Sequence, residues 1–361
     1  MSAALYFIRP IPTILVALYF YFFLRRAAGF WGAPVEKKRA KLIVGLAALA
    51  IGSILFFLHS IAALFVLMIL LFGLLMDLLH LIVHYPLRKT KWSSVWRCGL
   101  IPVAIAAVLV TFGFFHMRDV HETHYRVVSE KISTPTRILF LSDLHSGNAM
   151  DHEKLAEYCE KMQECDPGVV ILGGDIVDEN TTKEGMQQTF ATLGSIESTY
   201  GTFYVFGNHD RASYSSNRSY TPQELEAAIT GSGITILRDS SADLGILTLI
   251  GRNDRSGADR TDVQELCASE NPAEFLLLVD HQPFGAEENA AYGIDLMLSG
   301  HTHNGQIWPI GYVNSLLGPK YGEYHFGSME LIVSSGICGW GFPVRTQGVS
   351  EYVIIDLLPA D

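Results

Sequence analysis

Seven side chains of the types that ligate metals, and one further histidine, stand in five short blocks of this 361-residue sequence. Asp143 and His145 lie in DLH, Asp175 in GGDIVDEN, Asn208 and His209 in GNHD, His281 in VDHQP, and His301 and His303 in GHTHNGQ. Taken singly each has an ordinary explanation, because an Asp after a strand often caps a helix and a His is often a satisfied surface or core residue. Together they suit two divalent ions about 3.5–4 Å apart, which need a shared anionic ligand and neutral imidazoles that bind without cancelling positive charge. A carboxylate can supply the first and the histidines the second.

The blocks need a scaffold that brings them to one place. Each follows a short apolar run (RILFL, GVVIL, TFYVF, FLLLV, IDLML), and the first three are followed by amphipathic or helix-like stretches: DHEKLAEYCEKMQE, KEGMQQTFATLGSI and TPQELEAAIT. Thr221-Pro222 fits an N-cap with proline at the first helical position. These are βα units, and they predict a mostly parallel sheet covered by helices. Ligands of such sheets gather outside the carboxyl ends of the strands, where the five blocks fall. The runs ELIVSSG and YVIIDL, with little helix after Ile234, point to a second, mixed or antiparallel sheet packed on the first. Gly300 and Gly305 allow close backbone approach, so that His301 and His303, at alternating positions, can each serve one ion.

The five blocks in this order resemble the signature of the calcineurin-like metallophosphoesterase superfamily over about residues 135–357, and look most similar to its membrane-associated phosphoesterase branch. The resemblance implies a four-layer α/β/β/α sandwich. It also implies that Asp143, His145 and His303 hold one metal, that Asp175 bridges, and that Asn208, His281 and His301 hold the other. His209 would stay off the metals, contacting phosphate and assisting the leaving group, with Asp210 orienting it by a hydrogen bond. The expected ions are Mn, Fe or Zn rather than Ca, because imidazoles share the site with carboxylates. The implied reaction is hydrolysis of a phosphoester or pyrophosphate bond by metal-activated water, without a covalent enzyme intermediate.

Composition divides the chain. Hydrophobic residues make up 49% of it, more than suits an ordinary soluble enzyme, and they crowd the part before Arg118. Up to Arg118 there are 12 Lys and Arg against 2 Asp and Glu; beyond it there are 14 against 35, for a net charge of −11. So acidic a second half repels phosphate backbones, and no nucleic-acid partner is expected. The five cysteines form no CxxC pair, which supports neither a zinc knuckle nor a disulfide framework.

Four apolar stretches, about 5–24, 42–58, 61–83 and 99–116, predict a four-helix transmembrane region over 1–118, followed by a linker at 119–134 and the phosphoesterase domain at 135–361. Residues 42–83 as one helix would run about 63 Å, twice the ~30 Å hydrocarbon core, so a turn near His59-Ser60 is expected. Basic residues concentrate in Arg25–Lys41 and in Arg88–Arg97, and none stands in the turn between the middle spans. The positive-inside rule then puts both basic loops in the cytoplasm and the domain on the external side of a multi-pass protein. Asp77, His80 and His84, at helical spacing, read as an interfacial helix end rather than an intramembrane site. His121 and His124 in HETH lack the spacer of a zinc helix.

Membrane anchoring favours a phosphorylated, lipid-linked or envelope substrate, with membrane lipid as a partner. UDP-diacylglucosamine diphosphatases of the same superfamily offer a cytoplasmic-facing alternative. A non-catalytic metal-dependent binding or sensor module would be expected to lack a ligand or His209, and neither is missing. The loop RASYSSNRSYT and the aromatic stretch from Trp308 to Phe326 could rim the substrate or rest on lipid, and ordinary loop packing explains them equally well.

Overall fold

The structure, a computed structural model, describes residues 10–56, 60–84, 92–211, 213–257, 260–314, 316 and 318–360. The start of the first expected span, the end of the second with His59, and the basic residues Arg88, Lys89 and Lys91 lie outside them. The chain divides into two compact units, Met1–Phe114 with Gly341–Pro343, and Phe115–Trp340 with Val344–Asp361.

The first unit is helical: α1 (Pro10–Phe30), α2 (Lys38–Ser53), α3 (Ile61–His84), α4 (Trp92–Cys98) and α5 (Leu100–His116, whose last turn enters the second unit). Two stretches among the described residues are long and apolar enough to cross a membrane, Pro12–Phe30 and Ile61–Val83; α4 and α5, bent by 59° at Gly99, make a third if they act as one span. Helix α2 departs from expectation. At 16 residues it is about 24 Å long, short of the ~30 Å core, before it tightens into a 3₁₀ turn at Ile54–Phe56. It packs closely on α1, because a Cβ at Gly52 would stand 2.8 Å from the Thr13 carbonyl and 2.9 Å from the Ala17 Cβ.

Asp77 is a tie between helices. Its carboxylate accepts from Tyr19 Oη (3.0 Å) and Trp96 Nε1 (2.7 Å) and pairs with Arg26. The His80 ring stacks on Trp96 with centroids 3.8 Å apart. Three helices thus meet around one carboxylate, which shares its charge among a guanidinium and two neutral donors.

The second unit holds two six-stranded sheets. In the first, β1 (Val120–Ser129), β12 (Ser350–Pro359), β2 (Thr136–Leu141), β3 (Val169–Leu172), β4 (Thr202–Tyr204) and β5 (Ile234–Ile236) lie in that order. All neighbours are parallel except β12 and β2. In the second, β10 (Gly322–Phe326), β11 (Met329–Val333), β9 (Leu296–Ser299), β8 (Leu276–Val279), β7 (Thr248–Gly251) and β6 (Ser240–Asp243) follow one another. Its central four strands are parallel and its edges antiparallel, the mixed sheet expected after Ile234.

One apolar cluster draws on both sheets, with Ile138, Phe140, Ile171 and Val353 from the first and Leu249, Leu277, Leu298 and Ile332 from the second. The near-continuous apolar runs of the parallel strands follow from burial on both faces. The other face of the first sheet packs with helices α6 (His152–Glu164), α7 (Lys183–Leu193) and α8 (Pro222–Gly231) through Leu155, Phe190 and Leu225. A third cluster sets α9 (Val263–Ala268) and α10 (Ala286–Ala290) on the second sheet.

Local chemistry starts the helices where the sequence marks them. Asp151 caps α6 by accepting from Lys154 N–H, and Thr182 caps α7 through Gly185 N–H. Thr221 and Glu224 form a reciprocal capping box with Pro222 inside it. Residues 120–129, expected as linker, instead form β1, paired with β12 along its whole length. Its histidines are exposed and pair locally, His121 with Asp119 and His124 with Glu122.

Candidate metal centre

Five parallel strands end at the site. Just beyond β2, β3, β4, β8 and β9 come Asp143 and His145, then Asp175, then Asn208 and His209, then His281, then His301 and His303. The chain turns sharply there. Asp143, His145, Asp175, His301 and His303 all take left-handed backbone conformations, with φ between 44° and 69°. Non-glycine residues adopt this region rarely and at a cost, and five together mark a place where surrounding structure dictates the backbone. Glycine makes room: a Cβ at Gly174 would lie 2.6 Å from Gly207 N, and one at Gly300 would collide with the Asp143 carboxylate. Gly300 was expected to serve this way.

The ligand atoms fall into two groups. Asp143, His145 and His303 offer atoms all within 4.8 Å of one another, and so do Asp175, His281 and His301. The groups adjoin, since His145 Nε2 lies 3.9 Å from Asp175 Oδ2. Asn208 lies between Gly207 and His209, whose backbone N–H groups donate to Asp210 and Asp175, and its side-chain oxygen is buried; His209 belongs to neither group. Buried polar atoms normally find partners. Here both ring nitrogens of His145, Nε2 of His281, Nδ1 of His303 and Oδ1 of Asn208 are buried without a hydrogen bond. His281 Nε2 does lie 3.1 Å from Asp175 Oδ2, but without hydrogen-bond alignment. Converging lone pairs with nothing to bind are what a pair of cations would satisfy, so the donor set fits two metal ions.

Electrostatics agrees. Burial favours the neutral acid, yet His281 and His145 around Asp175, and His303 and His281 around Asp143, hold both carboxyls below the usual range. Burial pushes His303 down to about 3, and burial with the His281 charge also lowers His301. The site therefore offers ionised carboxylates and, at His301 and His303, neutral imidazoles, whereas His281, despite its burial, is raised above the usual imidazole range by Asp175. His281 Nδ1 lies 2.8 Å from the Gly173 carbonyl, which fixes its tautomer and leaves Nε2 for a ligand.

His209 has its own partner. Its Nδ1 is 2.9 and 3.0 Å from the two oxygens of Glu179, and its backbone N–H donates to Asp175 Oδ1 at 2.7 Å. Burial alone would depress its pKa; the bond to Glu179 and the charges of Asp175 and Glu179 raise it. The rings of Tyr214 and Trp340 flank it with centroids 5.0 and 5.1 Å away. Asp210, expected as the orienting group, does something else. Its fully buried carboxylate accepts from the backbone N–H groups of Asp175 (2.8 Å), Ile176 (2.9 Å), Val177 (3.2 Å) and Gly207 (2.6 Å). Asp210 thereby pins the Asp175 loop to the GNHD turn, and no oxygen is directed at the His209 ring.

Three further residues matter that sequence reasoning did not assign. Glu179 lies inside the GGDIVDEN block. Asp178, its neighbour, stands 3.4 Å from His145 Nδ1, without hydrogen-bond alignment. Arg345, wholly buried, donates to the carbonyls of His303 (3.0 Å), Ser335 (2.9 Å) and Cys338. A lone arginine in FPVRTQG carries no motif, and its one sequence signal is a charge set among residues that otherwise read as core and turn.

Comparison with known proteins gives the family. The family model for calcineurin-like phosphoesterases matches residues 136–305. An uncharacterized metallophosphoesterase of Helicobacter pylori is 30% identical over 290 residues, covering 76% of this chain and 76% of that protein. A transmembrane protein with metallophosphoesterase domain from Danio rerio is 28% identical over 295 residues, covering 74% of this chain and 64% of that protein. A dimetal phosphatase structure from Danio rerio aligns over 55% of this chain and 86% of its own, at 13% identity and a TM-score of 0.36. The chain belongs to the calcineurin-like phosphoesterase family and is a metal-dependent phosphoesterase.

Proposed function

We propose that the chain is a membrane-anchored dimetal phosphohydrolase that cleaves a phosphoester or pyrophosphate bond in a lipid-linked or envelope substrate. The observation that carries this reading is the meeting of two three-donor groups at parallel strand ends, with the His209–Glu179 pair beside them and outside both. Asp143, His145 and His303 would hold one ion and Asn208, His281 and His301 the other, with Asp175 shared. Bound there, the ions supply Lewis acidity toward phosphoryl oxygens and lower the pKa of water.

The chain's own residues do the rest. Glu179 keeps a proton on His209 Nδ1 and raises the basicity of the ring, so that Nε2 can hold a proton for the departing oxygen. Asp210 fixes the loop that carries the shared carboxylate. Aromatic rings at the mouth support a substrate with an apolar body: Tyr214 (60% exposed) and Trp340 lie against His209, and Phe284 against His301. Membrane lipid is the proposed partner and nucleic acid is not. The apolar cluster shared by the two sheets supports the four-layer sandwich, within the proposed boundaries 1–118 and 135–361, the second extended at its start by β1 at Val120–Ser129.

The basic loops favour four crossings and an external domain. The shortness of α2 supports a second reading, three crossings with the domain in the cytoplasm, which brings a UDP-diacylglucosamine diphosphatase-like activity within reach. Protease added to intact cells or spheroplasts separates the two, by cleaving the domain or sparing it. The activity is tested with detergent-purified protein against lipid and nucleotide phosphoesters, with and without Mn²⁺. Metal-dependent turnover of a lipid phosphoester is expected; equal rates with and without metal would refute the reading.

A further inference from the structure

We infer that Arg211 is a specificity residue that receives a second phosphate, attached to the one being attacked, so that the site is built for a diphosphate. The inference deepens the proposed phosphohydrolase activity and rests on it. Arg211 directly follows GNHD. Four arginines of this unit are committed to carboxylates: Arg137 to Asp356, Arg238 to Glu226, Arg252 and Arg260 to Asp280. Arg211 enters no hydrogen bond or ion pair with the described residues, and its buried Nε lacks an acceptor. What holds it is the ring of buried Phe206, 4.5 Å below the guanidinium carbon. Stacking of this kind fixes the plane of the group and leaves the N–H groups at its edge for an anion.

The second observation is the space it faces. Arg211 and Asn208 line one cavity of about 130 Å³ that Ser213, Tyr214, Asp254 and Ser256 help to close. Asp254, the carboxylate in that wall, is already engaged, Oδ1 by Ser256 N–H and Oδ2 by Gln282 Nε2, each at 2.7 Å. Both Asp254 oxygens thus accept from neutral donors, and the cationic side chain that lines the cavity is Arg211. Because Asn208 borders the same cavity, an anion held by Arg211 lies close to phosphorus at the metal-ligand groups. A diphosphate has such an anion, and a simple monoester does not. Hydrolysis balances as follows: the oxygen of water bonds to the attacked phosphorus, the bond from that phosphorus to the bridging oxygen breaks, and the bridging oxygen leaves on the second phosphate with the electron pair. The protons of water go to the two phosphate products or to solvent. Arg211 carries the charge that the departing phosphate gains.

Diphosphates occur on lipids and on nucleotides, and the test separates them. Full-length, Mn²⁺-loaded protein in detergent is assayed with farnesyl diphosphate, UDP-N-acetylglucosamine and p-nitrophenyl phosphate, as wild type, Arg211→Gln and Arg211→Lys. The ratio of kcat/KM for the preferred diphosphate to that for p-nitrophenyl phosphate should fall about 10- to 100-fold in Arg211→Gln, mainly through KM, and recover in part in Arg211→Lys. The diphosphate with the larger wild-type ratio identifies the source. Calorimetry reads binding without turnover: imidodiphosphate should lose affinity relative to phosphate in Arg211→Gln. A selectivity ratio within threefold of wild type, or an unchanged relative affinity, would overturn the assignment. Absence of turnover on every substrate would instead sink the phosphohydrolase reading, and the calorimetric comparison would still decide the role of Arg211.

Discussion

Replacing Glu179 with Gln keeps the shape of the side chain and removes its charge, so it isolates what the carboxylate does for His209. Both side chains are 13% exposed, which puts their contact at 2.9 Å largely out of reach of solvent screening. A hydrogen bond to a charged group contributes about 1.5–3 kcal/mol. If most of that stabilises the protonated ring, its loss corresponds to a fall of about 1–2 units in the pKa of His209, at 1.36 kcal/mol per unit. A proton donor matters most when the leaving oxygen is basic. The kcat for phenyl phosphate should therefore fall about 10- to 100-fold, and that for p-nitrophenyl phosphate much less.

The pH profile supplies an independent sign. A raised pKa keeps His209 protonated to higher pH, so activity is present below the folded pKa and lost as pH rises through it. In Glu179→Gln the falling alkaline limb should move to lower pH. Metal content, measured by plasma emission, should not change, because Glu179 belongs to neither donor group. Equal losses on the two substrates with an unmoved alkaline limb would refute the argument and leave Glu179 as packing.

Asp175→Ala should bring bound metal well below two ions per chain and abolish turnover, whereas His209→Ala should retain metal and lose about 10²–10⁴-fold in rate; full metal retention in Asp175→Ala would contradict its shared position. Gly300→Ala should displace the Asp143 carboxylate that its Cβ would strike, which weakens metal binding in equilibrium dialysis, and unchanged affinity would show that the loop can shift freely. Glu224, held down to about 2 by Lys183 and by the Thr221 N–H, contributes stability that is present above its ordinary value of 4.5 and lost as pH falls toward 2. The melting-temperature gap between wild type and Glu224→Gln should therefore be open at pH 7 and close between pH 4.5 and 2, and a gap that persists at pH 2 would place the effect elsewhere.

The parts of the site that the sequence makes legible are those written locally. Each donor sits directly after an apolar run, and helix starts such as Thr221-Pro222-Gln223-Glu224 carry their own hydrogen-bonding logic, so strand ends and caps can be read without knowing the fold. The partner of His209 cannot be read that way. Asp210 is adjacent in sequence and Glu179 is 30 residues away, and only the convergence of two loops decides which carboxylate meets the ring. Strand β1 escapes for a related reason: VHETHYRVVS sits at a sheet edge with polar residues on one face, and its pairing partner lies far along the chain. The crossing count is hidden because it depends on where α2 breaks, and the apolar composition around residues 50–60 hardly changes across that break.

The placement of β12 bears on how the protein is made. Strands β1 and β2 are neighbours in sequence, yet β12 lies between them, with Tyr352 bonded to Glu122 across 230 residues. Until the ribosome has delivered β12, β1 has no partner and the strand that leads into Asp143 has a bare edge. The nascent domain must therefore wait, its first candidate ligands following the N-terminal helices, with an unfilled slot in the sheet. Such long-range pairings are slow to form and open to mispairing while they wait. A ribosome stalled before residue 350 would leave a chain carrying every candidate metal ligand but with a gap between β1 and β2 of its first sheet, a natural substrate for chaperones and proteases.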